Sequence, residues 1–379
     1  MRICLLSSSH RPDDDRIYYK EARSLAKVYE DVWLISPFGE HTPVGDSPVR
    51  FRPFIKGRGP IGRLITMKRL FHAGIACRAD VYHCHEPESL LVAARLKKAL
   101  GSKVIFDSHE LWESVVSDRF PRPIRGLVRS SYRAIEAGFL RQCDGAIGAT
   151  WGISEHLADG VSQFTPVETV LNVPVVDVFG EACPREWGET TVLCHDGFLS
   201  FDRGLEAMCE AVRLVASRFS VRLKIVGDVF DRERTWLDSF VGKHRLSEVI
   251  VRTGWLPYDQ VGQALSPCHI GLISFAPGAN HAIAAPNKLF NYMLYGMPVV
   301  GPAFMSGLRK VVDEERCGLL VDPGSPETYA AAITQMIEQR EATLEMGRNA
   351  LLASREKYRW EHMEPVLFGL YEKVMAAGA

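Results

Sequence analysis

Short runs of β-branched and other apolar residues recur along the chain, with stretches of helical spacing between them. In the first half they cover residues 3–7, 32–36, 81–84, 104–108, 146–150 and 168–172; in the second, 192–194, 223–226, 249–252, 271–275, 299–301 and 319–322. Brief apolar runs alternating with helices predict parallel sheets covered on both faces. Two such series predict an α/β chain of two doubly wound, Rossmann-like domains.

The helices can be checked by period. Tyr18, Ala22, Leu25 and Tyr29 fall at i, i+4, i+7 and i+11, one face of a helix that follows Pro12 and starts at the acidic run Asp13-Asp14-Asp15. Ser325-Pro326-Glu327 opens another, with Ser as cap, Pro at the first helical position and Glu favourable against the helix dipole. The join between domains lies near residues 173–189, where Pro174, Pro184 and Gly188 interrupt the pattern. The expected division is 1–176, 177–359 and a tail, 360–379, read as a helix that closes the second domain or crosses back to the first. Pro365 would bend that helix or mark its first turn.

The chain has 379 residues, 45 basic against 46 acidic, with 46% hydrophobic positions. These values exclude a disordered chain and a strongly basic nucleic-acid binder. The balance hides a split: residues 1–178 hold 24 basic and 21 acidic side chains (+3), and the remainder 21 and 25 (−4). No apolar run reaches the roughly 20 residues that span a bilayer, and the apolar start turns polar too early for a signal peptide. The nine cysteines form no CxxC pair, so buried reduced thiols in a cytoplasmic protein are expected.

Open parallel sheets bind ligands at the carboxyl ends of their strands. After the run at 271–275 the chain reads APGANHAIAAPNKLFNYMLYGMPVVG, predicting a helix over 287–295 that stops at Gly296. Lys288 falls in its first turn, where the dipole disfavours a cation by a few tenths to about 1 kcal/mol. Residues 260–312 contain no Asp or Glu, which suits either an anion site or simply the buried heart of a domain. After the run at 192–194, Asp202 is a plausible cap for a helix with Arg203 in its first turn. Two cations near strand ends, each at a helix start, can grip a diphosphate.

Pro286-Asn287-Lys288-Leu289-Phe290-Asn291-Tyr292-Met293, followed by Gly296-Met297-Pro298-Val299-Val300, resembles the donor-site motif of family-4 retaining glycosyltransferases with the GT-B fold. Gly318-Leu319-Leu320-Val321-Asp322-Pro323-Gly324 and Val226-Gly227-Asp228 look like further loops of that family, as do Val81 to Pro87 and Val104 to Glu110 in the first half. The resemblance implies two Rossmann-like domains facing a cleft, neither an enzyme alone. A nucleotide-diphosphate sugar, first of all a UDP-sugar, would sit in the C-terminal domain, and a glycan, lipid-linked or small-molecule acceptor mainly in the N-terminal one. Arg203 and Lys288 would hold the diphosphate. Gly197 and Gly227 would permit close backbone approach, the Trp255–Leu256 turn would border the base, and Asn280 or His281 would contact the sugar. Asn287, Leu289 and Asn291 complete the donor set. His109 would meet the sugar, although a buried structural histidine is the other reading, with His85 and Glu110 on the acceptor side.

Two departures stand out. The family commonly carries two glutamates separated by seven residues, the second touching the ribose; here Ile283 and Asn291 stand instead, and Phe198 replaces a frequent arginine. The implied chemistry tolerates both, because a retaining front-face transfer needs no carboxylate nucleophile and no metal, only stabilisation of the diphosphate's developing charge. His83 and His85 share a strand face and could pair with Glu86 or Glu88 around a metal, but no distant third ligand is evident and none is expected. The implied function is a cytoplasmic transferase of polysaccharide biosynthesis. A nucleotide-sugar epimerase of the same fold and a non-catalytic binding subunit are the alternatives. Residues 48–79 hold eight basic side chains and no acid, and Arg122, Arg125, Arg129 and Arg133 follow helical spacing. Such stripes suit peripheral contact with an anionic membrane at its inner face, or a solvated surface.

Overall fold

The structure, a computed structural model, describes residues 1–38, 47–181 and 187–377; Cys183 and Pro184 lie outside them. The chain divides into two compact units, Met1–Leu171 with Glu361–Ala379, and Asn172–Trp360.

The first unit is built on seven strands, β1 (Arg2–Leu6), β2 (Asp31–Ile35), β3 (Arg50–Phe51), β4 (Val81–Cys84), β5 (Lys103–Ser108), β6 (Gly145–Gly148) and β7 (Val167–Thr169), in the order β3-β2-β1-β4-β5-β6-β7. The second uses β8 (Thr191–Asp196), β9 (Val221–Val226), β10 (Ile250–Arg252), β11 (Ile270–Leu272), β12 (Val299–Pro302) and β13 (Gly318–Val321), in the order β10-β9-β8-β11-β12-β13. Every named strand pair is parallel. The two sheets thus repeat one doubly wound plan, with β7 added at an edge of the first. Each reverses direction of winding between its two central strands, at β1/β4 and at β8/β11. These are the places where such sheets open a crevice for ligand.

Burial explains why the runs read as continuous. Ile3, Leu5 and Leu6 of β1 and Leu193 and Cys194 of β8 are fully enclosed, as strands sandwiched between helices must be. In the second unit Met208, Val212 and Ile333 of the covering helices pack on Leu193, Leu223 and Ile225. The eight described cysteines that are free are all buried.

Asp14 caps the first helical segment, its carboxylate accepting from the backbone N–H of Arg16 and Ile17 at 3.0 and 2.9 Å. That segment is π-helical over Asp15–Ala22 before becoming α-helical over Arg23–Val28. Its wider turn carries Arg16, Lys20 and Glu21 into the interior beside Ile17, where a 3.6-residue period reads only the apolar face. The Pro326–Glu338 helix starts as expected, capped by Ser325. The last helix, Trp360–Ala376, retains Pro365 within it. Leu367, Leu370 and Tyr371 are fully buried, and this packing holds the helix despite the missing N–H.

Candidate functional site

At the β8/β11 switch, β8 delivers His195 and Asp196 and then turns at Gly197 (φ 90°). The turn continues to Gly204 (φ 76°), after which the helix Leu205–Ala216 begins. A Cβ on Gly204 would lie 1.7 Å from the carbonyl oxygen of Ser274, so only glycine fits here. Gly204 is therefore the residue before the helix, and Arg203 lies in the preceding turn, not in the helix as expected. Asp202 does not cap that helix either: its carboxylate accepts from Ser200 Oγ at 2.5 Å.

The Asn287–Leu294 helix brings Lys288 to the same place. Lys288 is only 6% exposed, with Nζ 3.1 Å from His195 Nε2 and 5.4 Å from the centre of the Phe275 ring. Arg203 approaches that ring too, its Cζ 5.9 Å from the centre, while its Nη1 donates to the Phe198 carbonyl at 3.1 Å. Two cations thus converge on one aromatic ring. Burial, reinforced by the charge of Arg203, pulls the Lys288 pKa down to about 7. Burial and then Lys288 hold His195 neutral, well below the usual imidazole range. A neutral His195 that accepts from Lys288 at Nε2 carries its proton on Nδ1, which is buried with no hydrogen-bond partner among the described residues. Lys288 is thus a buried cation beside a second cation, with Asp196 the carboxylate that favours its charge.

The other residues expected at a donor site lie after β9, after β10 and on the two helices that follow β11. Asn291 Nδ2 donates to Asp196 Oδ2 at 2.7 Å. Gly227 sits so close to Gly197 that a Cβ on it would lie 2.2 Å from the Gly197 carbonyl oxygen, and it bridges to Gly254, which sets the Trp255–Leu256 turn beside it. Trp255 is 46% exposed. His281 Nδ1 lies 2.8 Å from the Ala276 carbonyl, its ring 4.7 Å from that of Phe275. Asn280 precedes it in the short Ala279–Ala282 helix, and Asn287 is exposed at the start of the next. Leu289 is fully buried in the core. Asp196 was not anticipated; its signal was a polar residue closing an apolar strand at the switch point.

In the first unit the β1/β4 switch gathers a second polar group. Glu86 accepts from Ser7 Oγ (2.5 Å), Ser8 N (2.9 Å), and Ser9 N and Oγ (3.1 and 2.9 Å). Burial opposes its charge, but His10 and these donors draw its pKa down to about 2. His10 Nδ1 lies 2.8 Å from Asp14 Oδ2; against the cost of burial, Asp14 and Glu86 push His10 up to about 9. His109, partly exposed, lies with Nε2 3.4 Å from both Asp107 Oδ2 and His85 Nδ1. His85 and His109 therefore come together, and Glu110 follows on the same loop. His10 was not anticipated, although the run Ser7-Ser8-Ser9-His10 follows β1 where ligands bind.

Beneath them lies a buried set. Glu21, His83, His85 and Asp107 place one ligand atom each within 4.8 Å of one another. The carboxylates meeting the two histidines are Glu21 and Asp107, not Glu86 or Glu88. Two imidazoles and two carboxylates are a donor set that could hold a divalent ion. Arg16 already supplies positive charge there, its Nε 2.8 Å from Asp107 Oδ2 and 2.9 Å from Glu21 Oε1. The C-terminal helix reaches the same set, Tyr371 Oη lying 2.9 Å from His83 Nδ1.

Residues 16–172 match the family described as Glycosyltransferase Family 4, and residues 190–339 match Glycosyl transferases group 1. No curated protein matches the sequence. Among solved structures, the sucrose-phosphate synthase of Thermosynechococcus elongatus superposes with a TM-score of 0.76 at 16% identity, over 100% of both chains. Anabaena HepE in complex with UDP and glucose gives 0.75 at 14% identity, covering 98% of this chain and 99% of that one. The apo lipopolysaccharide outer core galactosyltransferase WaaB gives 0.63 at 13% identity over 100% of both.

Proposed function

We infer that this chain, a glycosyltransferase by the families its two halves match and by its GT-B fold, moves a sugar from a nucleotide-diphosphate sugar to a hydroxyl acceptor with retention and without a metal. One observation carries the reading: Arg203 and Lys288 converge over Phe275 at the β8/β11 switch, beside the Gly197 and Gly227 backbone. Asp196 offers one negative charge against the two cations, and a diphosphate supplies the rest. The UDP held by HepE supports UDP as the nucleotide.

In this reading Arg203 and Lys288 hold the diphosphate, the glycine turns let it approach the backbone, and the Trp255–Leu256 turn borders the base. Asn280 and His281 face the sugar, with Asn287 and Asn291 completing the donor side; Leu289, enclosed in the core, packs beneath them and does not reach the donor. The anomeric C–O bond loosens, and its electron pair goes to the leaving diphosphate oxygen. The acceptor hydroxyl attacks from that same face and gives its proton to a leaving-group oxygen. Arg203 and Lys288 stabilise the growing charge, the largest catalytic contribution open to this site. His109 and Glu110 serve the acceptor side, with the buried His85 positioning His109. The acceptor is a glycan, a lipid-linked sugar or a small molecule at the cytoplasmic side of a membrane. Among the described residues no helix is long and apolar enough to cross a membrane.

The test is release of UDP from UDP-sugars by the purified protein. Turnover lost on Lys288→Ala supports the reading. Binding of UDP without transfer or hydrolysis would make this a binding subunit, and a changed sugar still attached to UDP would make it an epimerase.

A further inference from the structure

The acceptor side carries more chemistry than a neutral sugar needs. A cavity of about 520 Å3 in the first unit is lined by Arg63, Glu86, Trp112, Arg119 and Tyr132, with Ser8 and Ser9 at the end of β1. It lies wholly within that unit, at the carboxyl edge of its sheet. The charge of Glu86 is already met by three serines and His10, and Glu88, also in the wall, lies 3.8 Å from Arg63, so among the described residues the cations of the cavity left without an acid partner are Lys56 and Arg119. Trp112 Nε1 is buried with no hydrogen-bond partner among the described residues. Trp112 and Tyr132 also offer the flat faces on which sugar rings pack.

A second hollow, of about 690 Å3, shares Lys56 and Arg63 with the first and adds Phe38, Ile55 and Arg58. Here the surface turns apolar. Phe38, Ile55, Ile61 and Leu64 are each about two-thirds exposed or more. The Gly59–Cys77 helix has two apolar faces: Gly62, Thr66, Leu70 and Gly74 are buried, while Ile61, Leu64 and Ile65, at i, i+3 and i+4, face outward. Across the cavity, Phe120, Ile124 and Leu127 are exposed beside Arg119, Arg122 and Arg125. Isolated exposed apolar residues need no explanation, but a group flanked by a run of eight bases and no acid does. Apolar side chains set among Lys and Arg fit the interfacial zone of an anionic bilayer.

Resting on the transferase reading above, we propose that the acceptor is an anionic lipid-linked sugar. Its sugar occupies the cavity between Trp112 and Tyr132, and its phosphate meets Lys56, Arg63 and Arg119. Its hydrocarbon chain leaves across Phe38, Ile55, Ile61 and Leu64, which lie in the membrane surface. Charge complementarity selects this occupant: the hollow that opens onto the apolar group is the one whose shared wall is cationic.

The experiment has two arms. In the first, the full chain is sedimented with vesicles of phosphatidylglycerol and phosphatidylcholine, or phosphatidylcholine alone. Binding at least tenfold stronger to the anionic vesicles is expected, weakened at least tenfold by Ile61→Asp with Leu64→Asp, and weakened by salt. In the second, dodecyl phosphate, dodecyl maltoside and inorganic phosphate are titrated below micelle formation against tryptophan fluorescence. Dodecyl phosphate should bind at least tenfold tighter than either of the others, and Arg63→Ala with Arg119→Ala should remove the difference. Equal binding to both vesicle types, equal affinity for inorganic phosphate, or competition by an acidic peptide at the same affinity would each overturn the proposal. UDP affinity, measured in every variant, keeps its value if only this proposal fails, whereas absence of UDP binding by the unmodified chain would sink the donor reading instead.

Discussion

The side-chain amide of Asn291 donates to a carboxylate oxygen of Asp196 at 2.7 Å, both side chains nearly enclosed. The carboxylate that the family resemblance places on residue 291 stands across the hydrogen bond, on the last residue of β8. Glu at 291 would set two carboxylates against each other in a poorly solvated space. Asn291→Glu should therefore lower stability by about 1–3 kcal/mol and weaken UDP-sugar binding. Asp196→Asn combined with Asn291→Glu should recover most of both. Urea unfolding and calorimetric titration measure them; a single variant as stable as the parent would show that the pair is not coupled.

Lys288 has a pKa of about 7, against 10.5 when unperturbed. Between these values the unfolded chain binds more protons, so this residue makes stability rise with pH over that window, and its destabilisation is complete below pH 7. A bound diphosphate favours the protonated form. Affinity for a UDP-sugar, whose diphosphate does not titrate in this range, should thus fall as pH rises above 7, by up to roughly tenfold per unit. Lys288→Ala should flatten that profile, reduce donor turnover by two or more orders of magnitude, and leave stability at pH 6 unchanged or improved. A parent profile flat from pH 6.5 to 8.5 would count against the assignment.

His10, raised from 6.5 to about 9 by Asp14 and Glu86 against burial, stabilises the fold most below pH 6.5 and loses that contribution as pH climbs through 9. His10→Ala should cost about 1–2 kcal/mol at pH 6 and far less at pH 9.5. Glu86, lowered from 4.5 to about 2, behaves oppositely: its contribution is present above 4.5 and vanishes as pH falls through 2. Denaturant unfolding at the two pH values separates a titrating His10 from a purely steric one, which would cost the same at both.

Dialysis against a chelator should leave donor turnover unchanged, because Arg203 and Lys288 supply the positive charge at the diphosphate. Activity lost on dialysis and restored by zinc would instead point to Glu21, His83, His85 and Asp107, the set within 4.8 Å. Elemental analysis of the purified protein distinguishes the two.

Of the thirteen strands among the described residues, twelve could be read from the chain, because each carries apolar residues that pack against the covering helices, even where β7 and β9 include polar ones. β3 could not: it is two residues, Arg50 and Phe51, at the sheet edge, with no run to betray it. Lys288 was legible because a cation in a first helical turn breaks a local rule. Arg203 was legible as a residue but not in its setting, since Gly204 takes a left-handed turn that shifts the helix start. Asp196, Glu21 and His10 were not legible as site residues. Each gains its role from a partner brought by the fold: Asn291 is 95 residues from Asp196, and Glu86 is 76 from His10.

The assignment of the last helix to the first unit bears on how the protein is made. Asn172–Trp360 is continuous and can fold as it leaves the ribosome, but the first unit lacks Glu361–Ala379 until the whole of the second has been made. At about 5–20 residues per second, the intervening stretch delays completion by roughly 10–40 s. Throughout that interval His83 has no Tyr371 beside it, and Glu364 has not reached Ser24 and Lys27. The first unit begins to emerge before the second and is completed after it, so a nascent chain interrupted before residue 361 would hold a closed second unit and an unsealed first one.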